Sequence, residues 1–366
     1  MNTSNPTRST WKRTVYGGDL RAEHVGQSVS LVGWVQRVRD MGNLLFIDLR
    51  DRQGVVQIVF STDRPELLEE VKKARPENVA GFRGTVRRRD ARARNPQMPT
   101  GDVEVAASEF LLINTSKVPP FVIGEQAQAS EELRLKYRYL DLRRPGLQRN
   151  IKLRHEAALR TRTYLSDKGF LEIETPFLGK STPEGARDYL VPSRIHKGRF
   201  YALPQSPQLF KQILMVSGFD KYFQLARCFR DEDLRADRQP EFTQIDIEMS
   251  FIDQEDVFAL TEGLLAAVFN LIGEKIPTPF PRLTYKESLE KYGTDKPDLR
   301  DGMEIRDFTE AGKSSGSEIL AKVLGTGQSL KALVVPGLGN SSRSQIDKLN
   351  EKAKASGASG LFWMKK

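Results

Sequence analysis

Residues 221–249 constrain the fold most, because they read as strand, charged loop, strand. Lys221-Tyr-Phe-Gln-Leu-Ala-Arg-Cys-Phe229 is strand-like, and Phe242, Gln244, Asp246 and Glu248 alternate with Thr243, Ile245 and Ile247. A period of two is the mark of a strand. Between the two runs, Arg230, Arg235 and Arg238 stand among Asp231, Glu232, Asp233 and Asp237, with Arg227 close by. That density of charge is too high for a core strand. The pattern predicts an antiparallel hairpin with an Arg-rich tip. Guanidinium forks meet phosphate oxygens two at a time, so such a tip suits a polyphosphate. A solvated charged loop is the alternative that the local pattern leaves open.

A second β region lies far upstream. Val29, Leu31, Gly33 and Val35 alternate with Ser30, Val32, Trp34 and Gln36, and the runs 44–50 and 55–60 flank Asp51-Arg-Gln-Gly54, a turn whose glycine accepts positive φ. A helix is expected from Pro65 to Ala74, with proline in its first turn, acids early and basics late. Residues 79–89 and 103–113 supply two more strands. Three strands, a helix and two strands make an OB-fold β-barrel, which commonly binds single-stranded nucleic acid. Phe46 and Gln57 fall where such a barrel offers a stacking ring and a base-edge reader, with core packing the other reading for Phe46.

Charge points the same way. The 366 residues carry a net charge of +9. Arg83, Arg87, Arg88, Arg89, Arg92 and Arg94 crowd one strand and its loop, and Arg37, Arg39, Arg50 and Arg52 precede them. Clustered basic residues on a small β domain are an electrostatic footprint of nucleic-acid binding, whereas generic basicity serves only solubility. The single cysteine, Cys228, excludes an intramolecular disulfide, and three scattered histidines leave no legible metal site. No apolar run reaches membrane-spanning length, and the polar, frayed residues 1–14 contain no signal core. A cytoplasmic location is expected.

Val118-Pro-Pro-Phe121 reads as a stiff linker. Residues 130–144 read as a polar helix ending at Pro145-Gly146. A longer helix, 147–168, follows and is capped by Gly169. Phe170-Leu-Glu-Ile-Glu-Thr-Pro176 is a short alternating strand stopped by proline.

From about Tyr16 onward the chain resembles the bacterial aspartyl-tRNA synthetases, class II aminoacyl-tRNA synthetases. Gly169-Phe-Leu-Glu-Ile-Glu-Thr-Pro176 resembles class II motif 1, which forms the dimer interface in that family. Residues 181–189 (STPEGARDY) are similar to its mobile loop over the amino-acid pocket, Gln205-Ser-Pro-Gln-Leu-Phe-Lys-Gln212 to its aspartate-recognition segment, and 229–248 to motif 2. The resemblance implies an α+β multidomain chain. An OB-fold anticodon-binding domain would occupy 1–118 and a hinge 119–145. A class II catalytic domain on an antiparallel sheet would occupy 146–285, and part of a bacterial α+β insertion domain 286–366.

The implied activity is aspartate–tRNA ligation: ATP-dependent activation of L-aspartate to aspartyl-adenylate, then transfer to tRNA(Asp), with Mg²⁺ accompanying ATP and a homodimer formed through motif 1. Arg230 would be catalytic, bridging the α-phosphate and the substrate carboxylate. Asp231, Glu232, Arg238, Gln239 and Phe242 would join it at ATP, although Phe242 also reads as a core residue and Arg238 as a surface ion-pair partner. Aspartate would be held by Glu184, Ser206, Gln208, Lys211, Arg230 and Asp246, with Lys211 facing the side-chain carboxylate and Glu184 the ammonium group. The bland reading puts Lys211 and Gln208 on the exposed face of a helix beginning after Pro207. Anticodon contacts would come from Arg37, Arg39, Met41, Phe46, Gln57 and Glu104. Members that also charge tRNA(Asn) tend to carry histidine where this chain has Met41, so the resemblance favours specificity for tRNA(Asp).

The pattern stops short of the whole family. Tyr292-Gly-Thr-Asp-Lys-Pro-Asp-Leu-Arg300 still matches, but the third motif, with its Gly-rich strand and ATP-binding arginine, is absent; Gly337-Leu-Gly339 lacks the downstream arginine. Two expectations follow: a truncated ligase sequence, inactive in aspartate-dependent ATP–pyrophosphate exchange on its own, or a short tRNA-binding module. The exposed sheet edge that such a cut creates favours the first.

Overall fold

The structure is a computed structural model that describes residues 11–42, 44–61, 63–125, 128–182, 184–233, 235, 238–358 and 360–364. Residues 1–10 of the frayed terminus, Pro183 of the 181–189 loop, and Leu234, Ala236 and Asp237 of the hairpin tip lie outside it. The chain forms two compact units, Met1–Met249 and Ser250–Lys366.

The first unit begins with a closed five-stranded barrel. Strands β1 (Ser28–Asp40), β2 (Leu44–Arg50) and β3 (Val55–Ser61) run antiparallel in sequence, and helix α1 (Pro65–Val71) leads to β4 (Val79–Arg88) and β5 (Val103–Asn114). The strand order is β1-β2-β3-β5-β4; β4 pairs back onto β1, and β3 meets β5 in parallel, Ile58 opposite Val105. Alternation builds the core: Leu45, Ile47 and Leu49 point inward from β2, while Phe46 and Asp48 lie outside them, partly exposed. The inward set packs on Val35, Ile58, Phe60, Phe82 and Val105. Gly54 closes the β2–β3 turn at φ +151.

Past the barrel, the expected helix over 130–144 is two pieces, α2 (Glu131–Lys136) and α3 (Arg138–Asp141). Tyr137 leaves helical geometry between them, and Leu133, Tyr137 and Leu140 pack on Phe121 and Ile123 of the linker. Pro145 does not end a helix but begins α4 (Pro145–Asp167), since the first helical position needs no N–H. Gly169, at φ +82, follows that helix as expected. Of the anticipated 170–176 strand only β6 (Leu171–Glu172) is formed, in parallel register with Tyr222 and Phe223.

After the hairpin of β7 (Leu190–Pro192) and β8 (Phe200–Ala202), helix α5 (Gln208–Val216) precedes β9 (Lys221–Phe229) and β10 (Glu241–Met249). The charged hairpin is thus present. β9 and β10 pair antiparallel in unbroken register from Glu241–Phe229 to Met249–Lys221, and β6 adds in parallel on the far side of β9. The second unit contains α6 (Gln254–Phe269), α7 (Tyr285–Tyr292), a small β11–β12 sheet (Ile305–Asp307 with Lys331–Leu333), α8 (Thr309–Lys313), α9 (Glu318–Leu324) and α10 (Arg343–Ala355). No described helix is long and apolar enough to cross a membrane.

Candidate active site and barrel face

Of the residues expected to hold aspartate, Lys211 and Asp246 meet at the β9–β10 sheet. Lys211 projects from the second turn of α5, and its Nζ lies 2.9 Å from Asp246 Oδ1 and 3.2 Å from Glu248 Oε2, both on β10. Its side chain is only 12% exposed, so it is no surface lysine, whereas Gln208 at the start of the same helix is exposed. Burial works against the charge on Lys211, but the hydrogen bonds and negative charges of Asp246 and Glu248 outweigh it and raise the ammonium above its usual range. An ammonium has three N–H bonds; these two carboxylates leave one for a ligand.

Glu184 accepts hydrogen bonds from Thr182 Oγ1 and Ser206 Oγ, each at 2.9 Å. Hydroxyls do not neutralise it, and no cation lies within ion-pair distance among the described residues. Arg230 is its complement. It follows β9 directly, donates its backbone N–H to Pro240 O at 2.9 Å and sets its guanidinium 5.1 Å from the centre of the Phe242 ring. Its Nε is buried without a hydrogen-bond acceptor, and it has no carboxylate partner among the described residues. A buried arginine N–H without an acceptor carries a desolvation cost.

Cys228 marks where these charges meet. Its thiol is raised to about 11, chiefly by burial and then by the negative charges of Asp246 and Glu184, against the opposing Arg230 and Lys211. All four charged groups therefore lie near enough to Cys228 to act on its thiol.

At the hairpin tip, Gly185, Ala186, Arg187, Asp231, Glu232, Asp233, Arg235 and Arg238 line a cavity of about 280 Å³. Glu232 and Arg238 are paired with each other at 3.0 Å, half exposed, so the ion-pair reading of Arg238 describes it as it stands. Asp231 and Gln239 are exposed. Phe242 is partly exposed under Arg230 rather than buried in a core.

On the barrel, Phe46 likewise sits on the outer face, with the Arg39 guanidinium 5.9 Å from its ring centre. Arg39 also bonds Asp48 at 2.8 Å and Gln57 Oε1 at 3.1 Å. Gln57 Nε2 donates to Glu104 Oε2 at 2.8 Å, and Arg87 Nε to Glu104 Oε1 at 2.8 Å. Four of the named anticodon residues therefore share one surface, but the Gln57 amide is buried and engaged at both ends. Met41 is 67% exposed at the β1–β2 turn, and Arg37 is exposed.

The basic cluster divides. Arg89 is buried and donates to Val103 O, and Arg50 is buried against Glu77; both serve the fold. Arg88 and Arg92 are exposed and form no ion pair among the described residues.

Sequence reasoning did not single out Gln205 or Arg187, which hold the loop bearing Glu184, or Glu77, which joins the barrel to the hinge. Only burial and bonding identify them.

This combination of an OB barrel with an Arg-led hairpin and the Lys211–Asp246–Glu248 cluster at its second strand has a match. The chain belongs to the class II tRNA synthetases (D, K and N), whose family model matches residues 130–356. The model of the OB-fold nucleic acid binding domain matches 29–113. Among curated relatives, the aspartate–tRNA ligase of Clostridium perfringens is 53% identical over 355 residues, which cover 96% of this chain and 59% of that protein. The aspartate–tRNA(Asp/Asn) ligase of Acidobacterium capsulatum is 56% identical over 338 residues, 92% of this chain and 55% of that protein. The chain therefore spans a little under three fifths of the length of these relatives. Among solved structures, asparaginyl-tRNA synthetase from Pyrococcus horikoshii complexed with asparaginyl-adenylate superposes with a TM-score of 0.66 at 26% identity, covering 79% of this chain and 70% of that one.

Proposed function

We propose that this chain carries the anticodon-binding and aspartate-activating parts of an aspartate–tRNA ligase. One observation carries the reading: Glu184 has no cation partner among the described residues, the partly buried Arg230 has no carboxylate partner among them, and Lys211 has one N–H to spare. L-Aspartate presents the complementary set. Its ammonium meets Glu184, with Ser206 beside it, its side-chain carboxylate meets Lys211, and its α-carboxylate meets Arg230.

In the first step an α-carboxylate oxygen attacks the α-phosphorus of ATP; the new P–O bond forms as the bond to pyrophosphate breaks. Two anions must approach each other, so positioning and charge neutralisation carry the catalysis. Arg230 would bridge both. Phe242 offers a ring for the adenine. Arg238 and Glu232 line the cavity at the hairpin tip, with Gln239 beside them, and Arg238 exchanges Glu232 for the outer phosphates. Mg²⁺ belongs to the nucleotide. Among the described residues no three His, Cys, Asp or Glu side chains group to hold a metal, and no step here is routed through one.

The barrel would present Phe46 for stacking and Arg37, Arg39, Gln57 and Glu104 for base edges of the tRNA(Asp) anticodon, and Met41 favours tRNA(Asp) alone. The domain partition at 118, 145 and 285, a homodimer through the 169–176 segment and a cytoplasmic location complete the proposal. The test is aspartate-dependent exchange of labelled pyrophosphate into ATP by a protein of the relatives' full length. Exchange that collapses on Arg230→Ala supports the reading; full exchange by that variant contradicts it.

A further inference from the structure

Gln205 is a polar side chain with only 3% of its surface exposed, and all of its hydrogen-bonding capacity goes to one short segment. Its Oε1 accepts from Ala186 N–H at 2.9 Å, and its Nε2 donates to Ala186 O at 2.8 Å. The same Nε2 donates to the Asp188 carboxylate. The first pair copies a backbone ladder with a side-chain amide, fixing both position and rotation of the peptide at 186. Gln205 and Ser206 are consecutive, so the chain that gives Glu184 its Ser206 hydrogen bond also clamps the residues just after Glu184. On the other side, Asp231 N–H donates to Arg187 O at 3.0 Å, and Arg187 Nε donates to Asp231 O at 3.3 Å. Gly185, Ala186 and Arg187 form one wall of the 280 Å³ cavity at the hairpin tip. One segment thus bears the ammonium acceptor at its start and walls the nucleotide cavity further along.

Resting on the function proposed above, we propose that Gln205 is a positioning residue for both substrates. It touches neither. It acts on aspartate through Glu184 and on the nucleotide through the 185–187 wall. A leucine or glutamate at 205 does not reproduce the clamp: leucine lacks both bonds, and a carboxylate repels Asp188 and cannot donate to Ala186 O.

The test is a double-mutant cycle by equilibrium binding of L-aspartate, and separately of a non-hydrolysable ATP analogue, to the 366-residue chain and its Gln205→Glu, Glu184→Ala and combined variants. Gln205→Glu is expected to weaken aspartate about tenfold, the scale of a buried hydrogen bond lost beside a charge. It is expected to add nothing once Glu184 is alanine, and to weaken the analogue although Glu184→Ala does not. Amide hydrogen exchange at Ala186 in Gln205→Glu should speed up more than at the paired amides of β9 and β10, which report opening of the sheet. Additive losses in the cycle, or wild-type affinities in Gln205→Glu, overturn the positioning role and leave the function standing. Failure of the wild-type chain to bind aspartate at all overturns both.

Discussion

Lys211 and Asp246 meet at 2.9 Å between helix α5 and strand β10, and Glu248 closes on the same ammonium from 3.2 Å. Neither partner is well exposed, so the helix and the sheet are joined by charge as well as by packing. Lys211→Met leaves two carboxylates facing each other without a cation. Breaking such a partly buried pair is expected to cost about 2 kcal/mol of folding stability. Urea unfolding of the variant measures it; an unchanged midpoint contradicts the pairing.

The same contact sets a pH dependence. Because the ammonium of Lys211 is raised above its usual range, the stability it contributes is fully present below the unfolded value, about 10.5, and is lost only as pH climbs through the higher folded value. The loss of folding stability caused by Lys211→Met should therefore be the same at every pH from 7 to 10. A loss that shrinks with a midpoint near pH 8 or 9 would show that Lys211 is not held by its carboxylates.

Cys228 should be inert. Its thiol, buried and raised to about 11, is neutral at pH 8, and Sγ faces Gln244 Oε1 at 3.2 Å. A thiol reagent should label the native chain far more slowly than the chain in urea. Equal rates would mean that the floor of the pocket is open.

Glu77 joins barrel and hinge. It is 5% exposed at φ +66, and it accepts from Arg50 at 2.7 Å and from Arg143 at 2.6 Å. Arg143 in turn stacks 5.0 Å from the Trp34 ring centre. Glu77→Gln leaves a buried arginine short of its counter-charge and should cost about 3 kcal/mol. Loss of under about 1 kcal/mol, an ordinary surface effect, contradicts a buried role.

On the outer barrel, Arg88 is exposed and forms no ion pair among the described residues, which leaves its guanidinium open to phosphate. Arg88→Ala should weaken tRNA binding and reduce the slope of log K against log salt by about 1. Arg89 belongs to the barrel instead, and Arg89→Ala should lower the melting temperature. A salt slope unchanged by Arg88→Ala removes it from the nucleic-acid surface.

What the sequence disclosed follows from how locally each feature is encoded. The barrel was legible because alternation places Leu45, Ile47 and Leu49 on one face whatever lies across the core. The hairpin was legible because β9 and β10 are neighbours in sequence and pair in register. The break at Tyr137 was not, since it depends on Phe121 and Ile123 arriving from the linker. The shortening of the 170–176 strand was not either, because its pairing is with β9, some fifty residues further along the chain. Within the site, Lys211, Asp246 and Glu184 stand in recognisable segments. Gln205 reads as one more polar loop residue before Ser-Pro, and only its burial against Ala186 and Asp188 reveals the clamp.

The most direct test of the central claim is the affinity of the 366-residue chain for L-aspartate against L-asparagine, measured by titration calorimetry at one pH and salt. Asparagine is nearly isosteric but leaves the free N–H of Lys211 without an anion in a mostly enclosed site. Aspartate is expected to bind at least about 100-fold tighter, the scale of a charged group left unpaired. Equal affinities, or tighter binding of asparagine, would contradict an aspartate pocket built on Lys211, Glu184 and Arg230.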